Sequence, residues 1–62
     1  MTDFEVTVRY SEWVFHARTD RGRAWIRSSA CSMSRDVYVV PRHMGPMVWR
    51  ALREEKLDCL FA

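Results

Sequence analysis

The stretch VYVVPRHMGPMVWRALREEKLDCLF, Val37 to Phe61, contains a strand pattern, a helix pattern and a second strand pattern in immediate succession. Its opening run, Val37 to Val40, is continuously apolar, as in a central strand covered on both sides, and Pro41 ends it. Met44, Met47, Val48, Ala51 and Leu52 then follow the i, i+3, i+4, i+7, i+8 spacing of a buried helix face, which predicts a helix from near His43 to about Glu55. Pro46 falls in the first turn of that helix, where its missing N–H is not needed. From Leu57 to Phe61 the chain alternates again, and one register turns Cys59 and Phe61 inward. Strand, helix and strand in this order require a crossover connection, which is right-handed in nearly all proteins.

Upstream, FEVTVRY alternates strictly, with Phe4, Val6, Val8 and Tyr10 on one face and Glu5, Thr7 and Arg9 on the other. Ser11 and Glu12 supply a tight connection, after which Trp13 to Ala17 resumes strand chemistry and predicts a hairpin. Thr19 and Asp20 mark a helix start: the threonine hydroxyl accepts from free backbone N–H groups and the aspartate opposes the positive end of the dipole. Over Asp20 to Ser29 a helical wheel gathers Gly22, Trp25, Ile26 and Ser29 into an inward stripe. A glycine in mid-helix costs about 1 kcal/mol against alanine, so Gly22 predicts close approach of that helix to the sheet. The serine-rich stretch Ala30 to Arg35 reads as a loop.

The expected fold is therefore α+β: a single domain, residues 1–62, in a two-layer ββαβαβ arrangement. A small mixed sheet of about four strands carries two helices on one face and leaves the other open. A chain of 62 residues hides only about 60% of the surface its unfolded form exposes, which leaves a thin stability margin.

Two runs carry a resemblance to a known group. RTDRGRAWI, Arg18 to Ile26, resembles a Thr-x-x-(Gly/Ala)-Arg-x-Trp-(Leu/Ile) helix, and VPRHMG, Val40 to Gly45, resembles a strand-end Val-x-Arg-(Tyr/His) step. Both belong to small uncharacterised proteins of bacteriophage and prophage gene clusters. The resemblance implies a short sheet with two helices and a closing strand of Gly-Leu-Thr-Val type. Here Lys56, Leu57, Asp58 and Cys59 stand in that place without the glycine, a departure that bears on how the second helix ends. In size the chain is also similar to phage proteins that disable host defences, anti-CRISPR proteins among them, a likeness of class with no residue-level match.

Composition narrows the function. The ten basic and eight acidic residues leave +2, far from the footprint of a dedicated nucleic-acid binder. Nine of the ten cations are arginine, Lys56 being the exception, and arginine forms forked pairs with carboxylates and stacks on rings, which suits protein recognition; a GC-rich genome accounts for the same bias. No window is apolar enough to span a bilayer, and the opening residues lack a signal pattern, so the expected site is the cytoplasm, that of the host cell if a phage encodes the chain. There Cys31 and Cys59 are expected to be free thiols.

His16, Cys31, His43 and Cys59 are spaced too widely for a preformed metal site, and nothing supplies an oxyanion hole or orienting group for a Cys–His nucleophile. No catalysis and no cofactor are expected. Cys59 to Ala62 has the formal order of a prenylation signal, but a hydrophobic closing strand accounts for the same residues.

The leading expectation is a non-enzymatic protein-binding module that inhibits a host protein or ribonucleoprotein complex. Its partner-binding residues would be Trp49, Arg50 and Arg53 on the outer side of the second helix, then Trp13 and Tyr38 on the open sheet face. The alternative is a small nucleic-acid-binding protein using Arg18, Arg21, Arg23 and Arg27, flanked by Arg9 and Arg35, with salt-steep phosphate binding. Self-association through the open sheet face or the last strand would give a homodimer.

Overall fold

The computed structural model describes residues 2–30 and 36–62. Of the expected loop Ala30 to Arg35, residues 31–35, with Cys31 and Arg35, lie outside the described residues, while Ala30 closes the π-helical turn that prolongs the first helix. The elements run β1 (Phe4–Val8), β2 (Glu12–Ala17), α1 (Asp20–Trp25), β3 (Val37–Pro41), α2 (Gly45–Glu54) and β4 (Cys59–Phe61). A π-helical turn, Ile26–Ala30, prolongs α1, and a 3-10 turn, Arg42–Met44, leads into α2. The sheet is mixed, in the order β3-β2-β1-β4: β1 and β2 are antiparallel, β2 and β3 are antiparallel, and β4 runs parallel to β1.

Register decides which side chains share a face. Phe4 opposes Ala17, Val6 opposes Phe15, Val8 opposes Trp13, and across the next ladder Phe15 opposes Tyr38 and Trp13 opposes Val40. Cys59 and Phe61 oppose Phe4 and Val6 on the other side. All of these side chains point to the layer of the helices, where Phe4, Val6 and Phe15 are fully enclosed with Ile26 of the π turn and Leu52 of α2. Glu5, Thr7, Val14, His16, Val37, Val39 and Leu60 form the open face.

Close packing of both helices depends on glycine. Thr19 caps α1, its hydroxyl accepting from the Gly22 N–H at 3.2 Å. A Cβ on Gly22 would stand 2.8 Å from the Asp3 carbonyl oxygen and 3.3 Å from the Ala17 Cβ, so the expected close approach of helix to sheet is present. A Cβ on Gly45 would overlap the Trp13 ring. Bare backbone at these two points lets the helices settle on the aromatic layer.

Several expectations are corrected. β3 is an edge strand, not a central one; a run of four apolar residues specifies a buried strand without specifying its place in the sheet. Pro41 belongs to that strand, at a position an edge tolerates. Tyr10 does not continue the inward face of β1, because the Arg9 N–H donates to the Glu12 carbonyl at 2.8 Å and the chain turns there, leaving Tyr10 93% exposed. Trp13 and Tyr38 are not on the open face: both rings point into the helix layer and are half-buried there. Met47 is not buried but 65% exposed, since the enclosed stripe of α2 is Gly45, Val48 and Leu52.

Candidate functional site

The rotation of α2 that expels Met47 brings Trp49 down beside the sheet. Gly45, Val48, Trp49 and Leu52 are spaced i, i+3, i+4, i+7, and the small Gly45 lets the whole stripe turn toward Trp13. Trp49 is half-buried at the rim of this stripe, on the side of β4. Its ring meets Phe61 edge to face with centroids 6.0 Å apart, and Phe61 in turn meets Trp13 edge to face at 5.5 Å. The three rings form a continuous aromatic ridge from the core to the surface. Phe61, the middle ring, remains 44% exposed, and Val8, on the same side of the sheet, 47%. The Arg53 guanidinium lies over the Trp49 ring, 5.1 Å from its centroid, a cation–π contact of about 0.5–1 kcal/mol at an exposed position. Pro46, Arg50 and Arg53 are exposed, and the helical spacing puts them on the outward side of Trp49.

The other arginines are engaged differently. Arg18 donates to Glu5 at 2.8 Å, Arg23 to Asp20 at 3.0 Å, and Arg9 stands 3.9 Å from Glu12. Arg23 also approaches Asp36 to 3.8 Å. Arg21 donates to the Lys56 carbonyl at 3.0 Å and stands 4.0 Å from the Asp3 carboxylate. The arginine stripe anticipated along α1 is thus drawn toward carboxylates and a carbonyl of its own chain, and only Arg27 of that set is exposed without a carboxylate among the described residues. Arg50 and Arg53 also have no carboxylate partner among the described residues; Glu54 follows Arg50 by one turn, yet no ion pair joins them. Two exposed guanidinium groups therefore stand beside an aromatic ridge with their charge uncompensated.

Asp3 is the one buried charged residue among the described residues, 3% exposed. It accepts from the Thr19 hydroxyl at 2.6 Å and from the Asp58 N–H at 3.0 Å. The Thr19 hydrogen bond, then the Asp58 N–H and the nearby Arg21, hold its carboxyl below the ordinary 3.8 against the opposing effect of burial. Its backbone joins the same knot: its carbonyl accepts from the Arg18 N–H at 2.8 Å and its N–H donates to the Asp58 carbonyl at 3.0 Å. Every polar contact of Asp3 is thus structural, tying β1, the start of α1 and the start of β4.

The remaining candidates are dispersed. His16 is on the open face, His43 is exposed in the 3-10 turn, and Cys59 faces the helix layer as a free thiol whose pKa burial pushes up to about 11. Among the described residues no three metal-ligating side chains come together. A shallow groove of about 300 Å³ runs between α1 and the end of α2, lined by Arg21, Ala24, Trp25, Ser28, Glu55 and Leu57. No helix among the described residues is long and apolar enough to cross a membrane.

The sequence grouped Trp49, Arg50 and Arg53 on the outer side of the second helix. Arg50 and Arg53 are exposed there, whereas Trp49 is half-buried against Phe61, because Gly45 lets the helix turn that side toward the sheet. That grouping missed Phe61 as their companion, although the inward register assigned to Phe61 held the clue: a ring on that face of a short last strand must meet whichever helix side chain covers it. No family model, curated protein or solved structure matches the chain.

Proposed function

We propose that the chain is a non-enzymatic protein-binding module that acts by occupying a surface of a partner complex through the flank of α2 and β4. The observation that carries this reading is the pairing of the half-buried Trp49 and the exposed Phe61 with Arg50 and Arg53, two cations lacking a carboxylate among the described residues. Tryptophan and arginine are the residue types that dominate binding energy at protein interfaces, and a ring already held by its neighbours loses little freedom on binding. The engagement of Arg18, Arg21 and Arg23 within the chain favours this flank over the arginines of α1. In its specific form the proposal makes the chain a phage or mobile-element inhibitor of a complex in the host cytosol, in the manner of anti-CRISPR proteins; the likeness of the two quoted sequence runs and the small size support that form.

Affinity capture from a bacterial host lysate, with the wild-type chain beside an Arg50→Glu/Arg53→Glu double variant, tests the proposal. A partner held by the wild type and lost by a variant that remains folded, its melting temperature lower by a few degrees at most, is the expected result. Equal capture by both would overturn it.

A further inference from the structure

The outer edge of β4 lies beside this flank, and its backbone is unpaired on that side. The Phe4 N–H donates to the Asp58 carbonyl at 2.9 Å and the Ala62 N–H to the Val6 carbonyl at 2.9 Å. In a parallel ladder these two bonds fix the phase: Asp58, Leu60 and Ala62 turn their backbone groups to β1, and Cys59 and Phe61 turn theirs away. The sheet ends at β4, so no strand among the described residues receives them.

The two edges of the sheet are not equivalent. On β3 the Ala17 N–H donates to the Asp36 carbonyl and the Arg42 N–H to the Ser11 carbonyl, so Val37, Val39 and Pro41 face outward, and Pro41 has no donor to offer. Proline on an edge is a common guard against strand addition. β4 carries neither proline nor lysine, and its only guard is its length of three residues.

Resting on the binding reading above, we infer that the outer edge of β4 receives an extended acidic segment of a partner protein as an added strand. The side chains at alternate positions of such a segment would share the helix side of the sheet, where glutamates would lay their methylene stems over Trp49 and Phe61 and bring their carboxylates to Arg53 and Arg50. Charge selects the occupant. Elsewhere Arg9, Arg18, Arg21 and Arg23 each stand near a carboxylate of this chain, whereas Arg50 and Arg53, like Arg27, Arg42 and Lys56 away from the ridge, have none among the described residues. A second copy of the chain would bring further cations to the same edge. With only Cys59 and Phe61 offering main-chain bonds, side-chain contacts on the ridge must supply most of the affinity.

The test is a titration of the full isotope-labelled chain, followed by amide NMR and hydrogen exchange, with two synthetic peptides. One alternates glutamate with valine and the other lysine with valine. The acidic peptide is expected to shift and protect the Cys59 and Phe61 amides and to move the Trp49 indole signal, and the basic one to do neither. Cys59→Pro, which removes an outward N–H and leaves the bonds to β1 intact, should weaken acidic-peptide binding about tenfold, the size of one lost hydrogen bond. Arg53→Glu should exchange the preference to the lysine peptide, and it decides the matter if the proline variant does not fold.

Shifts at Trp49 and Arg53 without protection of Cys59 and Phe61 would overturn strand addition and leave the flank as a binding surface. An equal response to both peptides would overturn the acidic requirement. Protection of Cys59 and Phe61 that grows with protein concentration alone would assign the edge to a second copy. Tighter protection by a single-stranded DNA oligonucleotide would assign it to nucleic acid. Loss of partner capture in the Arg50→Glu/Arg53→Glu variant, with no response to either peptide, would sink this inference alone.

Discussion

Lys56 is the one non-glycine residue with a left-handed backbone among the described residues, at φ 61°. It follows α2 at the position where helices most often place glycine, and the hydrogen bonds show why. The Leu57 N–H donates back to the Leu52 carbonyl at 2.9 Å and the Lys56 N–H to the Arg53 carbonyl at 3.0 Å, the paired bonds of a Schellman ending, with buried Leu57 packing near buried Leu52. The left-handed geometry at this place favours glycine, and lysine adopts it under strain. Lys56→Gly is expected to stabilise the chain by roughly 0.5–1 kcal/mol, read as a rise in the denaturation midpoint. Asp3 makes the opposite prediction. Because its folded carboxyl binds a proton less readily than the unfolded one, its stabilisation is complete above the ordinary carboxylate value of 3.8 and is lost as pH falls through its lower folded value. Asp3→Asn offers one acceptor where two donors, the Thr19 hydroxyl and the Asp58 N–H, need partners. It should cost about 1–3 kcal/mol at neutral pH and flatten the acid limb of a pH–stability curve followed by denaturant melts.

At the scale of elements, α2 shows what periodicity can and cannot specify. Met44, Met47, Val48, Ala51 and Leu52 satisfy the helical template, and so do Gly45, Val48, Trp49 and Leu52; the structure keeps Val48 and Leu52 buried, Met44 against the core and Ala51 half-buried, exposes Met47, and adds Gly45 and Trp49 to the inward side. The deciding factor is steric. Gly45 is the one residue of the helix that can sit on the Trp13 ring, and glycine counts for little on any hydropathy scale. Leu52→Ala, at a fully enclosed site, is therefore expected to cost about 2–5 kcal/mol, whereas Met47→Ser should shift stability by less than about 0.5 kcal/mol in the same denaturant titration. If the two changes cost alike, the rotation is wrong. The Thr19 cap, the close approach at Gly22 and the inward set Phe4 and Val6 were legible because each is a local property of spacing or side-chain chemistry. The edge position of β3 and the inward turn of Trp13 and Tyr38 were not, since they depend on which strand lies beside which. For the candidate site the same division holds: the wheel could group Trp49, Arg50 and Arg53, and only the β1–β4 ladder could add Phe61.

For the whole molecule, a radius of gyration of 10.2 Å is what a compact chain of this length requires, about 10.6 Å by the usual scaling. Five rings, Phe4, Trp13, Phe15, Trp25 and Tyr38, are linked by contacts of about the same length, from Phe4–Trp25 at 6.1 Å to Phe15–Tyr38 at 6.4 Å. With nearly all of its aromatic mass on one side of one sheet, the molecule leaves the opposite side to Glu5, Thr7, His16 and small aliphatic groups. Charge reversal at Arg50 and Arg53 should then lower the melting temperature by only the few degrees that loss of the Arg53–Trp49 contact entails, while altering what the protein captures, because neither side chain takes part in that layer.

The pairing of Phe4 with Cys59 joins strands from opposite ends of the sequence. During synthesis β1 and β2 can form a hairpin early, but the flank of β1 that belongs to β4 stays vacant until Cys59 to Phe61 have been made. A nascent chain therefore emerges with an unfilled strand position, and the sheet closes only once β4 has cleared the ribosome.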